Sequence, residues 1–285
     1  MRSFVLLLTL LCAVAGANAQ SLKSKKQFSA VLPRDAAEAP SIITITDSLY
    51  DNLHLEDLGL ERDVFFQAYK GYLYLISKNK LRNTDVLTIA DFSQSCNNKR
   101  LYVIDLVNVE VLYQTYVSHG KNSGDEYAES FSNEKDSNKS SCGFLVTGEE
   151  YVGGFGTALK LDGAENGIND NVRMRDIVFH GSDFVNEQRI KTAGRIARSL
   201  GCPAVPMKDC LPIIRQIKGA SCFFIFSPDR DYAKQSKIIN SKIYGPTMAT
   251  ARLDADTNKK VVSDTDSKKN IETTTTVQPN SEYSL

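Results

Sequence analysis

Lys99-Arg-Leu-Tyr-Val-Ile-Asp105, running on through Val109-Glu-Val-Leu-Tyr-Gln-Thr-Tyr-Val-Ser-His-Gly120, is the stretch that decides the fold. Leu101–Asp105 is a short run of apolar and β-branched residues, the composition of a strand. Val109, Val111, Tyr113, Thr115 and Val117 alternate with other residues, the period-two pattern of a second strand. Outward from this pair, Val86–Ala90, Gly143–Thr147, Thr157–Leu161, Asp176–His180 and Ser221–Phe226 read as further short strands, with Gly, Asn, Asp and Ser in the gaps. Many short strands separated by turn residues predict a mainly β protein with a sandwich or barrel-like core. A short helix over Glu187–Arg198 interrupts them. Ahead of the strands, Leu49, Leu53, Leu58, Phe65, Tyr69 and Tyr72 recur at helical spacing, so a helical segment precedes the sheet.

The ends of the chain differ in character. Met1–Arg2 is a short basic start, Phe4–Ala15 is apolar, and Ala17-Asn18-Ala19 is a small-x-small signal before Gln20. This is the pattern of a secretory signal peptide over 1–19, and its apolar run falls short of the roughly 20 residues of a membrane span. Residues 20–40 are polar and read as a linker. Beyond about residue 250, Asp, Lys, Thr and Asn dominate and aromatic residues nearly vanish, a composition expected to stay disordered. The expected organisation is a helical segment at 41–84, a main domain at 85–245 and a tail at 246–285. The 34 basic and 34 acidic residues cancel, which argues against a dominantly electrostatic nucleic-acid binder.

Cys12 leaves with the expected signal peptide, and five cysteines remain. In an exported chain Cys96, Cys142, Cys210 and Cys222 could form two disulfides, in any of three pairings. Cys202 is the odd one. It lies in Arg198-Ser-Leu-Gly-Cys-Pro-Ala-Val-Pro206, where Pro203 favours an extended Cys202 and offers no N–H. Any backbone oxyanion cradle would therefore use the N–H groups of Leu200, Gly201 or Cys202. The competing reading is a structural disulfide from Cys202 to Cys210 or Cys222. A cysteine nucleophile needs a base, and three histidines are available. His54 sits in the helical segment. His119 and His180 each end an apolar run and precede a glycine, where another chain or a ligand can approach closely. His180 is the better base. Its second ring nitrogen needs an acceptor, which a group around Ser199 or the carboxylate of Asp183 would supply.

His180-Gly181 followed by Ser199-x-Gly201-Cys202 resembles the signature of the YkuD-type L,D-transpeptidases. Asp91-Phe-Ser93, Lys99–Asp105, Ser118-His-Gly-Lys-Asn-Ser-Gly124, Ser130-Phe-Ser-Asn133, Leu159-Lys-Leu-Asp-Gly163 and Gly201-Cys-Pro-Ala204 extend the resemblance to the murein L,D-transpeptidase catalytic-domain branch over about residues 60–235. The resemblance implies a YkuD-like β-sandwich or barrel and an exported enzyme of the periplasm or cell wall. Cys202 would be the nucleophile and His180 the base, with Ser199 and Gly201 completing the catalytic motif. His119, Gly120, Gly181 and Arg198 would line the groove for peptidoglycan stem peptides, and a carbapenem would be a covalent inhibitor. Hydrolysis of the same bond, as an L,D-carboxypeptidase, and a non-catalytic wall-binding role are the alternatives. The broader family carries Arg or Asn two residues after the cysteine, where this chain has Ala204 behind Pro203. Arg175, Arg195 and Arg198 are candidate replacements. No zinc-ligand spacing is present, so neither metal nor organic cofactor is expected.

Overall fold

The computed structural model describes residues 41–154 and 156–242; the expected signal peptide, linker and tail lie outside them. All the described residues fall in one compact unit. The first helix, α1 (Ile42–Asn52), starts at Ser41, whose Oγ accepts from the Thr44 N–H at 3.2 Å. Serine is favoured there because it satisfies an N–H that the helix leaves unpaired. The helical periodicity does not run unbroken to α2 (Arg62–Ser77). His54 and Gly59 take left-handed backbone (φ 51° and 77°) and turn the chain between the two helices. The Tyr50 hydroxyl then donates to the Leu60 carbonyl at 2.6 Å and ties the helices together.

The eight strands are β1 (Val86–Asp91), β2 (Leu101–Asp105), β3 (Glu110–Thr115), β4 (Gly143–Gly153), β5 (Gly156–Gly163), β6 (Val178–Ser182), β7 (Ala204–Pro206) and β8 (Cys222–Phe226). They form one sheet in the order β3-β2-β1-β8-β4-β5-β6-β7, antiparallel except for β1–β8 and β6–β7. The two edges approach each other. Beyond β3 the chain reaches Ser118, whose N–H donates to the Ala204 carbonyl of β7 at 2.8 Å. The Ala204 N–H in turn donates to Ser118 Oγ at 3.3 Å, and Gly120 forms a parallel bridge with Ser199. The sheet is therefore barrel-like and nearly closed, as the short-strand pattern predicts.

Period-two alternation sends each strand's residues to two different cores. Leu87, Ile89, Tyr102, Ile104, Cys222 and Phe224 pack with α1 and α2. Val86, Ala90, Leu101, Val103, Phe223 and Ile225 pack with Ile213, Ile214 and Ile217 of a further helix, α4 (Met207–Ile217). Both faces of the central strands are covered, which is why those strands read as near-continuous apolar runs. The inserted helix α3 (Glu187–Ala193) is shorter than expected, because Gly194 (φ 76°) ends it in left-handed backbone. A last helix, α5 (Arg230–Gln235), closes the described chain.

Neither of the two possible disulfides is present among the described residues. All five described cysteines are free, and Cys96, Cys142, Cys210 and Cys222 are buried. Cys210 lies in the α4-side core and Cys96 in a third, small cluster. Cys142 and Cys222 share the α2-side core, but Cys222 is paired with Val146 of β4. Cys142 stands four residues back from Val146, about 13 Å at strand rise and beyond disulfide reach. These thiols fill space as small apolar groups.

Candidate active site

Cys202 and His180 are placed by the parallel pair β6–β7. Register sets His180 beside Ala204, and Cys202 lies two residues before Ala204 on the same segment. The Val178 N–H, at the start of β6, donates to Cys202 Sγ at 3.4 Å, while the thiol reaches the Asp176 carbonyl at 3.6 Å. Cys202 is only partly exposed and is not bridged, so the disulfide reading of this residue is excluded. His180 is buried, with its Nδ1 2.8 Å from the Gly181 carbonyl. A carbonyl can only accept, so Nδ1 carries the proton and Nε2 is the basic nitrogen. The orienting acceptor is thus the neighbouring main chain. Neither Ser199 nor Asp183 serves: Asp183 lies in an exposed turn, where its carbonyl accepts from Asn186 Nδ2.

Ser199 instead ties the cysteine loop to itself and to its neighbour. Its hydroxyl donates to the Cys202 carbonyl at 2.6 Å and accepts from the Gly201 N–H at 3.0 Å. Its N–H donates to the His119 carbonyl at 2.9 Å, and its carbonyl accepts from Lys121 at 2.8 Å. The Gly201 N–H is consequently engaged. Of the three N–H groups expected for an oxyanion cradle, this leaves those of Leu200 and Cys202.

A family model for the L,D-transpeptidase catalytic domain matches residues 56–226, well over half of the chain. The chain belongs to that family. Three solved structures are also similar at low identity. One is an L,D-transpeptidase from Mycobacterium smegmatis, at 12% identity and a TM-score of 0.32, covering 50% of this chain and 59% of that one. The L,D-transpeptidase LdtMt1 in complex with imipenem gives the same figures. The Ldtfm–avibactam carbamoyl enzyme gives 12% and 0.31, covering 51% of this chain and 50% of that one. The chain therefore spans between half and three-fifths of the length of these proteins. No curated protein matches it.

In this L,D-transpeptidase-family chain the four residues expected to line the groove are placed differently. His119 is wholly buried and meets Phe92 edge-on, so it lines no open surface. Its Nδ1 is 2.8 Å from Nη2 of Arg100, a fully buried arginine that also donates to the Val117 and Gln94 carbonyls. Arginine only donates, so His119 Nδ1 accepts and Nε2 holds the proton. Gly120 and Gly181 are points where chain meets chain. A Cβ on Gly120 would lie 2.6 Å from the Asn138 carbonyl, and one on Gly181 would lie 2.8 Å from Met207 Sδ. Arg198 donates to the Lys121 and Gly124 carbonyls at 3.1 and 2.9 Å and, with Arg195, pairs with Asp125. Of the three arginines considered, Arg175 is the one beside Cys202.

Burial pushes the Cys202 thiol up, against the pull of the Val178 N–H and Arg175; Asp176 pushes it further up. Burial also pushes His180 below the ordinary imidazole range, with the Gly181 carbonyl pulling it back. Both shifts favour the neutral forms, so the resting pair is thiol and imidazole. Sequence reasoning missed Arg100 and the Val178 N–H. An apolar strand with one arginine at its entrance is the only trace of the first, and a main-chain donor leaves none.

Proposed function

We propose that this protein is a cysteine-dependent L,D-transpeptidase acting on peptidoglycan tetrapeptide stems. The observation that carries this reading is the Nδ1–Gly181 bond: it leaves His180 Nε2 as the base, on the strand beside a reduced, partly open Cys202. Cys202 Sγ attacks the amide carbonyl between the third-position diamino acid and the terminal D-Ala, and His180 Nε2 takes the thiol proton as the S–C bond forms. The Leu200 and Cys202 N–H groups face the developing oxyanion. His180 returns its proton to the leaving D-Ala nitrogen as the C–N bond breaks, and a thioester remains. An amine of a second stem attacks the thioester, gives up its proton to His180, and expels the thiolate as the new amide forms. The product is a link between the third residues of two stems.

Ser199 keeps Cys202 in place through its two loop bonds. No helix among the described residues is long and apolar enough to cross a membrane. An exported protein working on the cell wall, open to acylation by a carbapenem, accords with the family and with the imipenem-bound relative. The purified full chain incubated with tetrapeptide-bearing muropeptides tests the reading. Cross-linked dimers are expected, and Cys202→Ala is expected to form none and to take up no carbapenem mass. Tripeptide monomers without dimers would make water the acceptor and the protein an L,D-carboxypeptidase. Undiminished acyl transfer by Cys202→Ala would sink the mechanism.

A further inference from the structure

Arg175 lies against the cysteine loop, and among the described residues no carboxylate pairs with its charge. Its Nη1 donates to the Ser132 carbonyl and to Ser141 Oγ, and its Nη2 to Ser137 Oγ and the Lys139 carbonyl, all neutral oxygens. The loop that supplies these oxygens lies against the cysteine motif. A Cβ on Gly201 would sit 2.8 Å from the Lys139 carbonyl and 3.6 Å from Arg175 Nη2. The next residue, Asp176, holds a left-handed φ of 54°, and its carbonyl comes within 3.6 Å of Cys202 Sγ. Two consecutive residues of opposite charge thus lie near the thiol, Arg175 partly buried against Gly201 and Asp176 exposed, with its main-chain carbonyl on the sulfur. His180 stands on β6 in register with Ala204, two residues beyond Cys202, and its Nδ1 is held by Gly181. Ser199 adds only a hydroxyl, on the Cys202 carbonyl.

We propose that Arg175 is a positioning residue for the nucleophile: its unanswered charge holds the Cys202 thiolate, Asp176 opposes it, and together they set the pH at which the thiol ionises. This assignment rests on Cys202 being the nucleophile. An opposite charge beside an ionising group favours its charged form, most strongly where water is partly excluded. Because all four Nη bonds of Arg175 go to neutral groups, neither its position nor its charge has to be surrendered when the thiolate forms.

The pH dependence of Cys202 alkylation by iodoacetamide tests this, using the full chain at low salt and mass spectrometry of the Cys202 peptide. The other four described cysteines are buried and compete little. Arg175→Gln is expected to raise the midpoint by about one pH unit. Arg175→Lys, which keeps the charge, should stay within about 0.3 pH unit, and Asp176→Asn should lower the midpoint by about 0.3 pH unit, since an exposed carboxylate is screened. Asparagine accepts left-handed backbone as readily as aspartate, so Asp176→Asn decides the matter even if Arg175→Gln does not fold. A folded Arg175→Gln with the wild-type midpoint overturns the proposal. So does an Arg175→Lys midpoint displaced as far as that of Arg175→Gln, or an Asp176→Asn midpoint that fails to fall. Unmoved midpoints together with an inactive Cys202→Ala would sink this assignment alone. Acyl transfer surviving in Cys202→Ala would sink the nucleophile itself, whatever the midpoints do.

Discussion

Gly201 occupies a position that leaves no room for a side chain. Its φ of 127° is one that L-residues rarely adopt, and a Cβ there would meet both the Lys139 carbonyl and Ile177 Cδ1 at 2.8 Å. Relief from the Lys139 contact has to come from the Ser199–Cys202 loop or the 132–141 loop, and movement of the first displaces Sγ from the Val178 N–H. Gly201→Ala is expected to keep the fold and to slow acylation of Cys202 by about a hundredfold, the cost of roughly 1 Å of misplacement at a reacting atom. Carbapenem acylation rates beside a melting curve check it, and a wild-type rate would show that the loop accommodates the methyl. At this scale His180 and Cys202 were legible, because histidine and cysteine are rare in this chain and each adjoins a glycine. Arg100 was not, and Arg175 was legible only as one of three candidate arginines. They are two of 34 basic residues, and only the folded chain surrounds them with neutral oxygens beside the two motifs.

Among the elements, α2 shows how packing overrides propensity. Gly71 lies inside the helix, where alanine would ordinarily be better by about 1 kcal/mol. A Cβ there would sit 2.0 Å from Phe144 Cζ, on a ring stacked at 4.2 Å against Phe224. Overpacking of that kind costs about 1–3 kcal/mol, so it outweighs the helical gain. Gly71→Ala is expected to lower the urea midpoint, and a raised midpoint would show that the ring moves freely. The same helix was readable from its apolar spacing, but the break before it was not, because a histidine in left-handed backbone carries no sequence mark. The reverse holds for α4. Cys210, Ile213, Ile214 and Ile217 stand at i, i+3, i+4 and i+7, a legible amphipathic face masked by Pro212 within the helix. Most strands were legible because two apolar faces make apolar runs, and β3 through its alternation, but the three-residue β7 was not. Their order, with β8 between β1 and β4, was not, since pairing across the chain is set by the closed sheet rather than by any local pattern.

For the whole molecule, the Arg100–His119 contact has a global consequence. Burial, and next the Arg100 charge, push His119 from 6.5 down to about 4, so the fold holds it neutral while the unfolded chain titrates near its ordinary value. Above pH 6.5 neither state is protonated there, and the contact contributes fully. As pH falls from 6.5 towards 4 the unfolded chain takes up a proton that the native one refuses, and stability drops. The loss by pH 4 is on the order of 3 kcal/mol, since each pH unit in that interval costs about 1.4 kcal/mol. His180, also held below its ordinary value, acts in the same direction. Titrating carboxylates add their own slope, so the informative quantity is a difference between two proteins. His119→Asn places an acceptor oxygen where Nδ1 accepts from Arg100 and removes the titration. Urea unfolding at pH 4 to 7 is expected to show wild type losing more stability than His119→Asn over this interval, by about 3 kcal/mol. Parallel curves would mean that the native state can seat a charged imidazole against a buried guanidinium, and that the strut between strand β2 and the Ser118–Gly120 edge is looser than its geometry implies.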